Sequence, residues 1–214
     1  MNYYKKYFCL ILLTFFSCTA SNQQVNTPED LRMASAIKEL GEAYMAQGNY
    51  TSALKEFLKA EKVIPDDPYL QNDLGLVYMA RERFDLAEGH FKKAVDLNPD
   101  YVPARNNLGS SYLKQKKWEL AIECFKSISN NLLYATPHYP LSNLGWAYLG
   151  KGSSQIAAHY FEKALKEKPD FINAVHGLSL VYLENRQYDK AVKLLKDAIK
   201  DHSDTPPIAV ALLH

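Results

Sequence analysis

Few residues in this chain are placed to do chemistry, and the best placed is a cysteine. Cys18 follows Ser17 at the end of the apolar run Phe8-Cys9-Leu10-Ile11-Leu12-Leu13-Thr14-Phe15-Phe16, with Lys5 and Lys6 just before it. The other candidates are scattered. His90, His138, His159, His176, His202 and His214 form no His-Glu-x-x-His, and Cys9, Cys18 and Cys124 form no Cys-x-x-Cys. There is no glycine-rich phosphate loop and no Gly-x-Ser-x-Gly. His90 and His159 fall where second helices are expected and read as partly exposed surface. Cys124 falls inside an amphipathic pattern and reads as a small core side chain. The pair Asp66-Asp67 suits a turn or a helix start. These types and spacings give no catalytic residue, no metal site and no cofactor, so the expectation is a protein that is not an enzyme.

The amino terminus reads as an address. Basic residues, a short apolar run and a small residue are the parts of an export signal, expected over residues 1–17. The run is too short for a bilayer, which needs about 20 residues of helix. Phe15-Phe16-Ser17-Cys18 resembles the lipobox of bacterial lipoproteins, departing from it at Phe15 and Phe16, where leucine and a small residue are usual. The resemblance implies that the Cys18 thiol carries a diacylglyceryl group and becomes the new amino terminus. Thr19, where aspartate would retain the protein in the inner membrane, implies the outer membrane. Two or more acyl chains hold a protein on a membrane without other help. Residues 18–33 are expected as a lipidated tether, with Thr19 to Asp30 a polar leash of about 12 residues at up to roughly 3.5 Å each.

Composition narrows the partners. With 47% apolar and 23% charged residues the chain belongs with ordinary globular proteins. Its formal charge is +1, and without Lys5 and Lys6 it becomes 23 basic against 24 acidic residues. Nucleic acid wants a concentrated basic face, and runs such as Lys114-Gln115-Lys116-Lys117 read as solvated turns. The expected contact with a membrane is through the lipid alone.

The elements are set by a repeat. Leu40-Gly41-x-x-Tyr44 recurs at Leu74-Gly75-x-x-Tyr78, Leu108-Gly109-x-x-Tyr112, Leu144-Gly145-x-x-Tyr148 and Leu178-Ser179-x-x-Tyr182. Ala-x-x-x-Phe follows each time, at Ala53/Phe57, Ala87/Phe91, Ala121/Phe125 and Ala157/Phe161, with Ala191/Leu195 in the last unit. A small residue comes next at Ala60, Ala94, Ala164 and Ala198, replaced by Ile128 in the third unit. Pro65, Pro99 and Pro169 close three units. The period of 34 and this pattern identify tetratricopeptide repeats. The expected fold is all-α, an α-solenoid of five helix-turn-helix repeats at 34–67, 68–101, 102–135, 138–171 and 172–205. Glycine in each first helix and alanine in each second are expected to let the backbones approach closely. Residues 206–214 are expected to form a short cap, with Ile208 to Leu213 over repeat five. The step from Leu108 to Leu144 is 36, so two extra residues lie around Leu133-Tyr134-Ala135-Thr136-Pro137.

This lengthened junction before Asn143-Leu144-Gly145, with Pro169-x-Phe171 later, in a short lipoprotein, resembles the type IV pilus biogenesis and stability lipoproteins. The resemblance spans essentially the whole chain, although that family typically has six repeats rather than five and a cap. It implies a pilotin, which helps the outer-membrane secretin reach its membrane, facing the periplasm, and form its ring. The other expectation is a scaffold lipoprotein in a different envelope task, such as outer-membrane protein assembly or cell-wall synthesis.

In such superhelices the first helices line the concave face. Positions 2, 5, 9, 12 and 13 of a repeat then give the candidate groove: Tyr69, Asn72, Leu76 and Met79 in repeat two, and Asn106, Ser110, Leu113 and Lys114 in repeat three. Repeat four adds Tyr139, Ser142, Trp146 and Leu149, and repeat five adds Asn173, His176, Leu180 and Leu183. Lys38 stands where related repeats clamp a terminal carboxylate, but Glu42 replaces the asparagine and repels one. An apolar peptide or helix is the expected occupant, held by aromatic anchors.

Overall fold

The computed structural model describes residues 27–129 and 135–201. The export run, Cys18, Leu133 and Tyr134 of the junction, and the cap at 206–214 lie outside the described residues. Ten α-helices occur among the described residues, in five hairpin pairs. They are α1 (Pro28–Ala46) and α2 (Tyr50–Glu61), α3 (Pro68–Ala80) and α4 (Phe84–Leu97), and α5 (Val102–Lys114) and α6 (Trp118–Ser129). The last two pairs are α7 (His138–Gly150) with α8 (Ser154–Glu167) and α9 (Ile172–Glu184) with α10 (Tyr188–Asp201). None of the described helices is long and apolar enough to cross a membrane.

Each first helix packs on its own second helix, and each second helix on the next first helix. The first helices also touch one another in series, which sets α1, α3, α5, α7 and α9 side by side as the inner wall. This is the stacking that lets units with one apolar face apiece share a continuous core.

Local chemistry sets the helix ends. Thr27 Oγ1 accepts from the Asp30 amide at 3.1 Å while Asp30 Oδ2 accepts from the Thr27 amide at 2.8 Å. This reciprocal cap, with Pro28 preset for a first turn, starts α1 inside the segment expected as a leash. The polar stretch therefore gives way to helix at Pro28 rather than after Met33. Asp67 begins α3 in a similar way, accepting from the Tyr69 and Leu70 amides at 2.8 and 3.2 Å.

Every turn between paired helices holds one residue at positive φ: Gly48 at 73°, Glu82 at 57°, Lys116 at 58°, Gly152 at 82° and Arg186 at 57°. That conformation lets the following amide return to the carbonyl of the repeat's tyrosine. Asn49, Arg83 and Lys117 donate to Tyr44, Tyr78 and Tyr112 at 2.9 Å, and Ser153 and Gln187 donate to Tyr148 and Tyr182 at 2.8 Å. The tyrosine of the motif is thus also the residue whose carbonyl ends its helix.

Inside the first four pairs, glycine makes room for a ring rather than for a backbone. Phe57, Phe91, Phe125 and Phe161 are fully buried. A Cβ built on Gly41 would stand 2.5 Å from Phe57, and one on Gly145 would stand 2.5 Å from Phe161. Repeat five carries Ser179 and Leu195 in place of this pair. Its Gly177 instead lies against Phe161 of the preceding repeat. Fully burying each phenylalanine contributes about 2–3 kcal/mol. Cys124 is half-buried against the central core, and burial pushes its thiol up to about 11, so it stays protonated at neutral pH.

Candidate partner-binding groove

The inner wall opens into a cleft of about 580 Å³ where repeats three, four and five meet. Leu113, Trp146 and Leu149 supply apolar walls, and Ser110, Lys114, Asn143, Asn173 and His176 supply polar edges. Trp146 is half-buried. Its ring stands edge-on to Phe161 at 5.5 Å and to His176 at 5.4 Å, so one side is braced by core and the other faces the cleft.

Trp118 also lines the cleft, although it opens a second helix. The end of α7 can pass beneath it because Gly150 has no side chain: an added Cβ would lie 2.7 Å from the indole. Counting positions 2, 5, 9, 12 and 13 of the first helices passes over Asn143, at position six of α7, and Trp118, on a second helix. A signal for the tryptophan was nonetheless present, because Tyr50, Phe84, Trp118 and Tyr188 all open second helices.

Seven of the expected groove residues, Ser110, Leu113, Lys114, Trp146, Leu149, Asn173 and His176, come together here. Others stand elsewhere. Leu76 and Met79 are half-buried against the central core. Leu180 is half-buried and Leu183 is exposed, and neither lines the cleft. Tyr139 is exposed and packs edge-on to Phe171 at 5.1 Å, with the His138 ring 4.5 Å away. Burial, then the nearby Lys168 charge, lowers the pKa of His138.

Two expectations are corrected. Asn72 is only 4% exposed, and its Oδ1 accepts from Asn107 Nδ2 at 2.9 Å. Ser142 is fully buried, and among the described residues its hydroxyl has no hydrogen-bond partner. Position five of a repeat turns toward the next first helix once that helix is packed alongside. Asn106 repeats the arrangement, accepting from Asn143 Nδ2 at 3.3 Å. These amides tie adjacent first helices together and fix the spacing of the wall.

The amino-terminal end of the wall has different chemistry. Lys38 Nζ lies 3.3 Å from Asp67 Oδ2 and 4.0 Å from Glu42 Oε1. Tyr69, half-exposed, meets Tyr101 edge-on at 4.9 Å. Half-buried Asp73 lies among them, pushed up to about 7 by burial and then by the charge of Glu42. Burial and the neighbouring Asp73 carboxylate raise Tyr101 to about 12. Among the described residues no group of histidine, cysteine and carboxylate side chains could hold a metal ion.

Hairpin pairs in series, a glycine seated on a buried ring and a continuous inner wall define a tetratricopeptide-repeat solenoid. Sequence profiles of the tetratricopeptide repeat match residues 38–102, 72–129 and 148–213, and the chain belongs to that repeat family. No curated protein matches the sequence. Among solved structures, PilF of Pseudomonas aeruginosa is 23% identical with a TM-score of 0.71, the match covering 80% of this chain and 78% of that one. PilW, a widely conserved type IV pilus biogenesis factor, is 20% identical at a TM-score of 0.73, covering 79% and 77%. MamA of Desulfovibrio magneticus RS-1 is 18% identical at 0.70, covering 81% and 97%. These likenesses establish the fold.

Proposed function

We propose that this protein is a lipid-anchored scaffold that holds a partner protein in its concave groove, and that the partner is an outer-membrane secretin whose localisation and assembly it promotes. The observation that carries the binding role is the cleft built on Trp146 and Trp118. Two aromatic rings around an open apolar volume, with amide and imidazole groups at the rim, are the usual makings of a binding hot spot. PilF, PilW and MamA share the fold about equally, so the fold does not choose the partner. What favours a secretin is the Ser17-Cys18 anchor sequence together with the lengthened junction and the Asn143-Leu144-Gly145 and Pro169-x-Phe171 motifs. PilW, as a pilus biogenesis factor, agrees with that reading.

Two variants test the groove. Trp146→Ala removes the anchor, and losing a buried aromatic contact costs about 2 kcal/mol, roughly a thirtyfold weaker affinity. Ser110→Arg fills the cleft from the opposite wall without removing any core side chain. Both are expected to abolish capture of secretin subunits in a pull-down, while circular dichroism shows unchanged helix content. Normal capture by folded Ser110→Arg protein would refute the groove. Deleting the gene is expected to reduce heat- and detergent-resistant secretin multimers while monomers persist. Normal multimers and piliation in that strain would assign the scaffold to another envelope assembly.

A further inference from the structure

The inner wall changes character along its length, and the change is in register. Trp146 and Ser110 hold the ninth position of their repeats, and both face the cleft. Asn143 holds the sixth position and also faces it. Toward the amino terminus, position nine of repeat one is Glu42 and position six of repeat two is Asp73, while Leu76 at position nine of repeat two packs against the central core. Past Leu76, the wall that is aromatic and apolar at the cleft therefore gives way to an acidic patch made by Glu42 on α1 and Asp73 on α3.

Among the described residues, little positive charge meets these carboxylates. Lys38 is the cation, among the described residues, that reaches Asp67 and Glu42, at 3.3 and 4.0 Å, and it also acts on Asp73. One ammonium thus faces three carboxylates. The same Lys38 Nζ lies 5.5 Å from the centre of the half-exposed Tyr69 ring, which places an aromatic ring beside the carboxylates. Burial, and then the charge of Glu42, holds Asp73 above the usual carboxylate range, in line with this geometry.

We propose that the partner segment seated in the Trp146 cleft is amphipathic, and that an arginine or lysine of the same segment lies against Glu42, Asp73 and Tyr69. This rests on the reading of the groove as the partner site and adds the chemistry and polarity of its occupant. Charge complementarity selects that occupant: an acidic segment is repelled at repeats one and two, and a wholly apolar one leaves the carboxylates unmatched. From α3 to α7 there are two helix-to-helix steps of about 8–10 Å, so the two subsites lie about 20 Å apart. An extended segment covers that span in about six residues, and a helical one in about 13.

The experiment selects phage-displayed random 16-residue peptides on the immobilised protein, then measures the enriched peptides by titration against variants. Wild-type protein is expected to enrich peptides that pair a large apolar residue with a lysine or arginine. The Glu42→Gln/Asp73→Asn double variant is expected to bind them about tenfold more weakly, the loss of roughly one charge-assisted contact. That variant is also expected to lose the salt dependence that wild type shows between about 50 and 500 mM, where exposed charges become screened. Trp146→Ala is expected to lose binding roughly thirtyfold. If the double variant binds as well as wild type while Trp146→Ala does not, the inference is overturned and the groove stands. If Trp146→Ala binds normally, the groove reading itself fails. If nothing is enriched over phage without an insert, both fall together. Circular dichroism confirms that each variant is folded before titration.

Discussion

Replacing Asp73 by asparagine keeps the size of the side chain and removes its charge, which isolates an electrostatic cost built into the inner wall. Asp73 titrates near 3.8 when free and near 7 in the folded protein, chiefly through burial and then through Glu42. Between those values the folded state holds a proton that the unfolded state has released. Stability from this group is therefore fully present below about pH 4, falls as pH rises, and is lost above about pH 7. At about 1.4 kcal/mol per pH unit the full span is on the order of 4 kcal/mol. Asp73 is only half-buried, and water over its exposed edge reduces that to on the order of 2 kcal/mol. Asp73→Asn is thus expected to raise the melting midpoint at pH 8 by roughly 4–8 °C, with the gain shrinking to nothing near pH 4. The assay is thermal melting of wild type and variant by circular dichroism at half-unit pH steps. Parallel curves, with the same difference at pH 4 and pH 8, would refute the reasoning.

Other perturbations test other parts of the structure. Lys116 is held at a φ of 58°, so Lys116→Gly is expected to stabilise by about 1 kcal/mol in urea unfolding, and a loss of stability would show that its side chain matters more. Removing the unpartnered Ser142 hydroxyl with Ser142→Ala is expected to be neutral or stabilising by about 1 kcal/mol; a destabilisation of that size would mean the hydroxyl has a partner. Gly145→Ala drives a methyl group into the Phe161 ring and is expected to cost about 1–3 kcal/mol, measured by the same unfolding, whereas a neutral result would show that the ring yields freely. Cys18→Ser is expected to abolish incorporation of labelled fatty acid; continued labelling would remove the lipid anchor.

The repeat was legible because its contacts are short and local. Leu-Gly-x-x-Tyr and Ala-x-x-x-Phe name both sides of one hairpin, so their recurrence carries the helix pairs and the solenoid with them. The groove was legible only in part. Ser110, Leu113, Trp146, Leu149 and His176 face the cleft as position-counting expects, because the direction of a side chain around one helix follows from its number. Asn72 and Ser142 do not, because the neighbouring first helix covers their side of the wall, and no single repeat contains that neighbour. Trp118 escaped because it reaches the cleft from a second helix, across a glycine 32 residues later. The start of α1 escaped for a different reason: the Thr27 and Asp30 pair sits in a polar stretch with no apolar periodicity to announce a helix.

Phe161 has a consequence for motion. Its ring is enclosed by Gly145 of its own repeat and by Gly177 of the next, with the edge of Trp146 completing the enclosure. A ring held on two sides by helix backbone rotates only when those helices part. The rate at which Phe161 flips, read from the exchange of its ring protons in nuclear magnetic resonance, therefore clocks the breathing between repeats four and five. Because Trp146 both touches that ring and lines the cleft, a segment that settles on the indole would slow this clock from outside the core.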